Sequence, residues 1–105
     1  MVNVFIGLGS NLDEPQVQLQ TAIDQLKKTE AIEFIKISHF YLSKPMGPQD
    51  QPDFVNAVVE LNTSLTAEKL LDELHNIENS QGRARSQHWG PRTLDLDILF
   101  GPTRR

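Results

Sequence analysis

The residues best suited to chemistry lie late in the chain, within the segment Leu94-Asp95-Leu96-Asp97-Ile98-Leu99. On a β-strand, residues two apart share a face with Cα atoms ~7 Å apart, so Asp95 and Asp97 point to the same side and the apolar residues point to the other. Two carboxylates this close repel each other unless a cation lies between them. Mg²⁺ favours one or two carboxylates together with phosphate oxygens. The pattern indicates a magnesium site, and the alternative is an ordinary solvated strand face.

A loop that carries arginines leads into this strand. It contains Arg83, Arg85 and Arg92, together with His88 and Trp89. Guanidinium groups carry a permanent charge and bind phosphate oxygens in a bidentate way. Acids for a metal and arginines for phosphates are what phosphoryl transfer requires. The alternative is a solvated loop whose arginines pair with acidic residues elsewhere, while the single tryptophan either stacks on a base or packs the loop down.

Two further pairs of residues are candidates for ligand recognition. His75 and Glu78 are three apart on a predicted helix, so they should be adjacent on its surface, where they either contact a base or form a polar flank. Phe54 and Asn56 alternate on a predicted strand, and a ring with an amide suits a flat heterocycle, although a solvent-side pair is equally consistent. The segment Gly7-Leu8-Gly9-Ser10-Asn11 lacks the spacing and the lysine of a Walker A motif, so it is interpreted as a strand end and turn.

The elements that position these residues follow from apolar periodicity and from helix and turn signals. Val2, Val4, Ile6 and Leu8 alternate as in a strand. The predicted order continues with a helix that begins near Pro15, a strand over Ile32 to Phe40, a proline-rich loop over 43–53 and a strand over Phe54 to Thr63. A second helix follows, which is capped by Thr66 and stops at Gly82, and its predicted buried residues are Ala67, Leu70, Leu71, Leu74 and Ile77. The last predicted element is a strand over Leu94 to Phe100. The β-α-β-β-α-β order predicts an α+β, ferredoxin-like fold with a four-stranded antiparallel sheet and both helices on one face. The other face is open for a site.

Composition limits the class of protein. The 105 residues carry a net charge of −4 and contain no cysteine, which excludes disulfides and thiolate chemistry. All five lysines precede residue 82 and all five arginines follow it, so an acidic body ends in an arginine-bearing segment. The overall acidity argues against nucleic-acid or membrane partners. We expect one cytoplasmic, monomeric domain over residues 1–100, with a tail over 101–105.

Several motifs occur together and in order: Gly9-Ser10-Asn11, the segment from Pro48 to Ala57, Ile77-Glu78 followed by Gln81-Gly82-Arg83, and the block from Trp89 to Leu99. With them the sequence resembles the 6-hydroxymethyl-7,8-dihydropterin pyrophosphokinases of folate biosynthesis, from Val2 to about Gly101. That family transfers pyrophosphate from ATP to the hydroxymethyl group of a pterin and releases AMP. The resemblance therefore implies two small-molecule substrates, ATP and the pterin, and two Mg²⁺ ions.

The resemblance also implies a role for each matching position. The implied roles are Mg²⁺ binding by Asp95 and Asp97, catalytic charge stabilisation by Arg83 and Arg92, ATP binding by His75, Glu78, Arg85 and Trp89, pterin binding by Ser43, Met46, Phe54 and Asn56, and ordering of the first loop by Asn11.

The sequence departs from the family at its end, because the C-terminal third that the family has is absent from it. It also has His75 where a glutamine is frequent and His88 where an arginine is frequent. One alternative is therefore a shortened ferredoxin-like module that binds pterin or nucleotide with weak or no catalysis. A third hypothesis is a metal-dependent nuclease or phosphatase that uses Asp95 and Asp97.

Overall fold

The computed structural model describes residues 1–11, 14–44, 53–81 and 94–100. The elements in these ranges, in chain order, are β1 (Val2–Ser10), α1 (Pro15–Lys28), β2 (Ile32–Ile37), β3 (Tyr41–Ser43), β4 (Phe54–Thr63), α2 (Ala67–Ser80) and β5 (Asp95–Phe100).

The strands form one antiparallel sheet in the order β2-β4-β1-β5, and the short β3 pairs with β4 as well. Strand β4 lies between β1 and β2 in the sheet, which is the split arrangement of a ferredoxin-like fold. The predicted fold class is thus confirmed, while the predicted number of strands is wrong, because the described residues alone form five strands and not four.

The additional strand arises where the predicted second strand divides. Regular pairing of β2 ends at Ile37, and Ser38 then bonds to Val58 through both its backbone N–H and its hydroxyl oxygen. Pairing with β4 resumes at Tyr41, which lies opposite Asn56. The predicted strand over Ile32 to Phe40 is therefore too long, and its continuation brings Ser43 beside the start of β4.

The first strand also differs from its prediction, because β1 continues through Gly7 and Gly9 to Ser10. Glycine is unfavourable in strands when it is judged alone. Here β1 lies in the interior of the sheet and pairs with β4 on one side and β5 on the other. Two ladders of hydrogen bonds hold the strand where local preference predicts a turn.

Both helices begin where the sequence predicts. Pro15 occupies the first turn of α1, and the Thr66 hydroxyl accepts a hydrogen bond from the Lys69 N–H at 3.2 Å, which caps α2. The prediction that Leu71 is buried is wrong, because this residue is 40% exposed. The predicted stop of α2 at Gly82 falls outside the described residues, and the helix runs to Ser80.

The core lies between one face of the sheet and the two helices. The apolar residues that alternate along β1 and β4 contribute to this core, as predicted. The fully buried members of the core include Val4, Ile6, Leu19, Leu26, Val59, Leu61, Leu70, Leu74 and Leu94. Residues between them in the strands project from the opposite face, where the described residues place no helix. No described helix has the length and apolar character to cross a membrane.

Candidate active site

The candidate site is built on the register of the three central strands. Gly9 of β1 lies opposite Asn56 of β4 on one side and opposite Asp95 of β5 on the other. Two positions earlier, Gly7 is flanked in the same way by Val58 and Asp97. Neighbouring strands are about 4.8 Å apart, so the Cα atoms of Asn56 and Asp95 are about 10 Å apart across Gly9. The two glycines form a floor without side chains between two walls.

A cavity of about 420 Å³ lies over this floor. Its lining residues are Gly7, Leu8, Gly9, Tyr41, Ser43, Lys44, Phe54, Asn56, Ala57, Val58, Asp95, Asp97 and Leu99. Five of the residues predicted for the site are therefore brought together: one wall has Ser43, Phe54 and Asn56, and the other has Asp95 and Asp97.

Asn56 is held in a defined orientation. Its Nδ2 donates to the Ser43 hydroxyl oxygen at 2.8 Å and, at 3.4 Å each, to the backbone carbonyls of Tyr41 and Phe54. Its Oδ1 faces β1, where a Cβ added to Gly9 would lie only 3.1 Å away. With the amide donors directed at Ser43 and the backbone, Oδ1 is the atom that presents an acceptor beside the floor of the cavity.

The aspartates share the open face of β5, as the alternation of the strand predicts. Asp95 is partly buried and Asp97 is exposed, while Leu96 between them is 2% exposed and packs in the core. Within the described ranges, no group of three or more His, Cys, Asp or Glu side chains is placed to hold a metal ion. The donor set still fits Mg²⁺, because this ion is commonly held by one or two carboxylates and completes its shell with water and phosphate oxygens.

The pair on α2 does not lie as predicted. His75 is exposed, but Glu78 is only 3% exposed and its Oε2 accepts a hydrogen bond from the backbone N–H of Leu96 at 2.7 Å. The prediction that both side chains lie adjacent on the helix surface is therefore wrong. Position 78 follows Leu74 by four residues and so lies on the buried stripe of α2, which is the sequence signal that this prediction overlooked.

Asn11 directly follows β1 and is 1% exposed. Like His75 and Glu78, it is not among the residues that line the cavity. Several residues that are not predicted as site residues also line the cavity, among them Gly7, Gly9, Tyr41 and Lys44. The two glycines could have been found by extending β1 and aligning it with Asn56 and the aspartates.

The sequence matches a known protein family. The model of the family described as 7,8-dihydro-6-hydroxymethylpterin-pyrophosphokinase matches residues 5–102, which is nearly the whole chain. The chain belongs to this pyrophosphokinase family.

Curated relatives within the pyrophosphokinase family agree with this match. A 2-amino-4-hydroxy-6-hydroxymethyldihydropteridine pyrophosphokinase from Haemophilus influenzae is 54% identical over 100 residues, which cover 95% of this chain and 62% of that protein. Proteins of the same name from Pseudomonas aeruginosa and Pseudomonas putida are 51% and 48% identical, over 92% and 94% of this chain and 60% and 82% of their own lengths. The chain thus spans about three fifths of the length of the first two relatives.

The pyrophosphokinase resemblance assigns roles to five residues that lie outside the described ranges, namely Met46, Arg83, Arg85, Trp89 and Arg92. His88, to which the resemblance assigns no role, also lies outside these ranges. The roles assigned to these residues, and to the described ones, stay predictions.

Proposed function

We propose that this chain binds ATP and 6-hydroxymethyl-7,8-dihydropterin and transfers pyrophosphate from the first to the second, releasing AMP, in folate biosynthesis. The observation that carries the proposal is the row Asn56–Gly9–Asp95 across the open face of the sheet. This row supports two walls about 10 Å apart over a floor that has no side chains. The recognition wall consists of Ser43, Phe54 and Asn56, and the carboxylate wall consists of Asp95 and Asp97.

The recognition wall suits a pterin. Phe54 offers a partly buried aromatic ring, and the Asn56 Oδ1 offers an acceptor whose position is set by the 2.8 Å bond from Nδ2 to Ser43. A pterin is a flat heterocycle with N–H donors along one edge, so an aromatic surface and a fixed acceptor match both of its features. We therefore place the pterin beside Ser43, Phe54 and Asn56, with Met46 in the same subsite by resemblance.

The carboxylate wall suits the phosphates of ATP with Mg²⁺. Asp95 and Asp97 would hold the metal, for which we propose two ions, and the metal when bound neutralises charge on the phosphate oxygens. Lys44 adds a cationic side chain at the cavity lining. By resemblance, Arg83 and Arg92 stabilise the transferred phosphates, and His75, Arg85 and Trp89 lie along the ATP, whereas Glu78 is buried against Leu96.

The reaction requires little covalent chemistry from the protein. The hydroxymethyl oxygen of the pterin attacks the β-phosphorus of ATP, the bond from that phosphorus to the bridging oxygen of the α-phosphate breaks, AMP leaves, and the hydroxyl proton is lost to solvent. Orientation of the two substrates and stabilisation of phosphate charge carry such a transfer. Both walls contribute to this positioning, because the β1 ladders fix the spacing between them.

The proposal is tested by measuring how much AMP forms from ATP in the presence of the pterin. The nucleotides are separated by chromatography for this measurement. Asp97→Asn keeps the size of the side chain and removes its charge, so we expect AMP formation to fall by about 10²-fold or more. Asp72→Asn removes an exposed carboxylate from α2 and should leave the rate unchanged. Thermal unfolding of both variants establishes that the fold is intact.

Two results would contradict the proposal. Binding of both ligands without AMP release would identify a binding module, and phosphate release from ATP without pterin would identify a hydrolase.

We also propose that the chain acts as a cytoplasmic monomer on these small molecules, without nucleic-acid or membrane partners, in keeping with its net charge of −4. Light scattering coupled to size-exclusion chromatography tests the monomeric state.

A further inference from the structure

Glu78 is a charged residue at a position that the packing of α2 reserves for an apolar side chain. The buried face of this helix includes Leu70, Leu74 and Ile77, and Glu78 joins it with 3% exposure. Removing a carboxylate from water is costly unless hydrogen bonds compensate for the lost hydration. A buried glutamate at this position therefore calls for a local reason.

One such reason is the contact between Glu78 and β5. Oε2 of Glu78 accepts the backbone N–H of Leu96 at 2.7 Å, and both groups are buried. A hydrogen bond to an ionised acceptor is about twice as strong as one between neutral groups. Leu96 is the residue between Asp95 and Asp97, so the carboxylate holds the backbone at the centre of the proposed metal-binding pair.

This contact matters because β5 is the edge strand of the sheet that the described strands form. Its ladder to β1 holds one side, and edge strands present backbone groups on the other side. Glu78 anchors that second side from the helix layer. Since successive side chains of a strand point to opposite faces, holding the Leu96 peptide fixes the directions in which Asp95 and Asp97 project.

We propose that Glu78 is a positioning residue for the metal-binding aspartates, acting through the backbone of Leu96. This inference rests on the proposed function and deepens it, because it concerns the same site. It assigns to Glu78 a task different from direct contact with ATP, which is the role that the family resemblance implies.

Two substitutions separate positioning from simple stabilisation of the fold. Glu78→Met has a similar shape and fills the apolar stripe, and thermal unfolding measures what the exchange costs the fold. It leaves the Leu96 N–H without this acceptor. Glu78→Gln keeps an acceptor of the same reach. A purely structural role predicts that metal affinity follows thermal stability, whereas positioning predicts that it follows the presence of the acceptor.

The experiment uses the whole chain and two readouts. The first is the hydrogen-exchange rate of the Leu96 amide by NMR without metal, with the Ile6 amide as a reference for global opening. The second is the affinity for Mn²⁺ alone, measured from the signal of the free ion in electron paramagnetic resonance. Asp97→Asn is the positive reference, and Asp72→Asn, an exposed carboxylate on the same helix, is the matched control.

In Glu78→Met, we expect Leu96 exchange to accelerate by about tenfold or more relative to Ile6. We expect Mn²⁺ affinity to fall by about tenfold, as is usual when a group supporting a metal ligand is lost. Glu78→Gln should recover most of both quantities, and Asp72→Asn should match the wild type. If Glu78→Met does not fold, a Glu78→Gln variant with unchanged Mn²⁺ affinity and unchanged Leu96 exchange still supports the acceptor role, and a loss as large as that of Asp97→Asn contradicts it.

The outcomes distinguish the two ideas. Unchanged Mn²⁺ affinity in a folded Glu78→Met, with weakened affinity in Asp97→Asn, overturns the positioning role and leaves the proposed function in place. Unchanged affinity in Asp97→Asn overturns the metal assignment of the proposed function, and the positioning role falls with it.

Discussion

Substitution of Gly9 by alanine should disturb pterin recognition through a short and well-defined contact. An added Cβ would lie 3.1 Å from the Asn56 Oδ1 and 3.6 Å from Cδ1 of Phe54. The first distance is shorter than ordinary van der Waals contact, so the Asn56 amide has to move by a few tenths of an ångström. That movement strains the 2.8 Å bond from Asn56 to the Ser43 hydroxyl, and a neutral hydrogen bond is worth about 1 kcal/mol.

The expected consequence is a loss of pterin affinity with little net change in stability, because the lower chain entropy of alanine offsets the strain on this hydrogen bond. About 1 kcal/mol corresponds to roughly a fivefold rise in the dissociation constant of 6-hydroxymethyl-7,8-dihydropterin. Gly7→Ala is the matched control, since the three atoms nearest to its Cβ would be side-chain atoms of Leu99 at 3.4 to 3.5 Å, which is ordinary van der Waals contact. Both variants exchange glycine for alanine in the same strand, so the gain from lower chain entropy, about 0.5–1 kcal/mol, is shared.

Isothermal titration calorimetry of the two variants and the wild type with the pterin measures the difference. Thermal unfolding accompanies it, so that a folding defect is recognised. Equal pterin affinities for Gly9→Ala and Gly7→Ala would refute the reasoning that the close approach of Gly9 and Asn56 sets the acceptor in place.

Two predictions concern the contact between the end of β4 and the residue that precedes β2. Thr63 is fully buried, and its hydroxyl donates to the Ala31 carbonyl at 2.7 Å and accepts from the Leu65 N–H at 3.1 Å. Thr63→Val should therefore lower the free energy of unfolding by about 1–3 kcal/mol, as measured by urea titration. An unchanged midpoint of unfolding would show that water replaces these bonds. Ala31 adopts φ 69°, a left-handed conformation that favours glycine, so Ala31→Gly should stabilise the fold by about 1 kcal/mol and raise the Tm by about 4–8 °C. A fall in Tm similar to that expected for Ala22→Gly within α1 would contradict the second prediction.

Much of the fold is predictable from local patterns. The alternation from Phe54 to Thr63 is long and regular, so the bounds of β4 and the residues on each face agree with the prediction. The same reasoning places Asp95 and Asp97 together on the open face, because the period of a strand leaves one solution once the leucines are buried. Thr66 as a helix cap follows equally from its local chemistry.

The remainder depends on contacts between segments distant in sequence. The extension of β1 through Gly9 depends on partners in β4 and β5, and no property of the glycine itself indicates it. The short β3 has three residues, too few for a periodic signal. Burial of Glu78 is stabilised by the Leu96 N–H, which belongs to a segment 18 positions later. In each case a tertiary hydrogen bond overrides the preference of the individual residue.

The interior position of β1 has a consequence for how the protein is made. This strand is synthesised before both of its partners, β4 and, later still, β5. Until Asp95 to Phe100 have been synthesised, one side of an apolar strand presents unpaired backbone groups, which favour association with other chains. The segment that carries Asp95 and Asp97 is thus the one that pairs with the second side of β1. Pieces of the protein that end before Asp95 should therefore be prone to aggregate during expression.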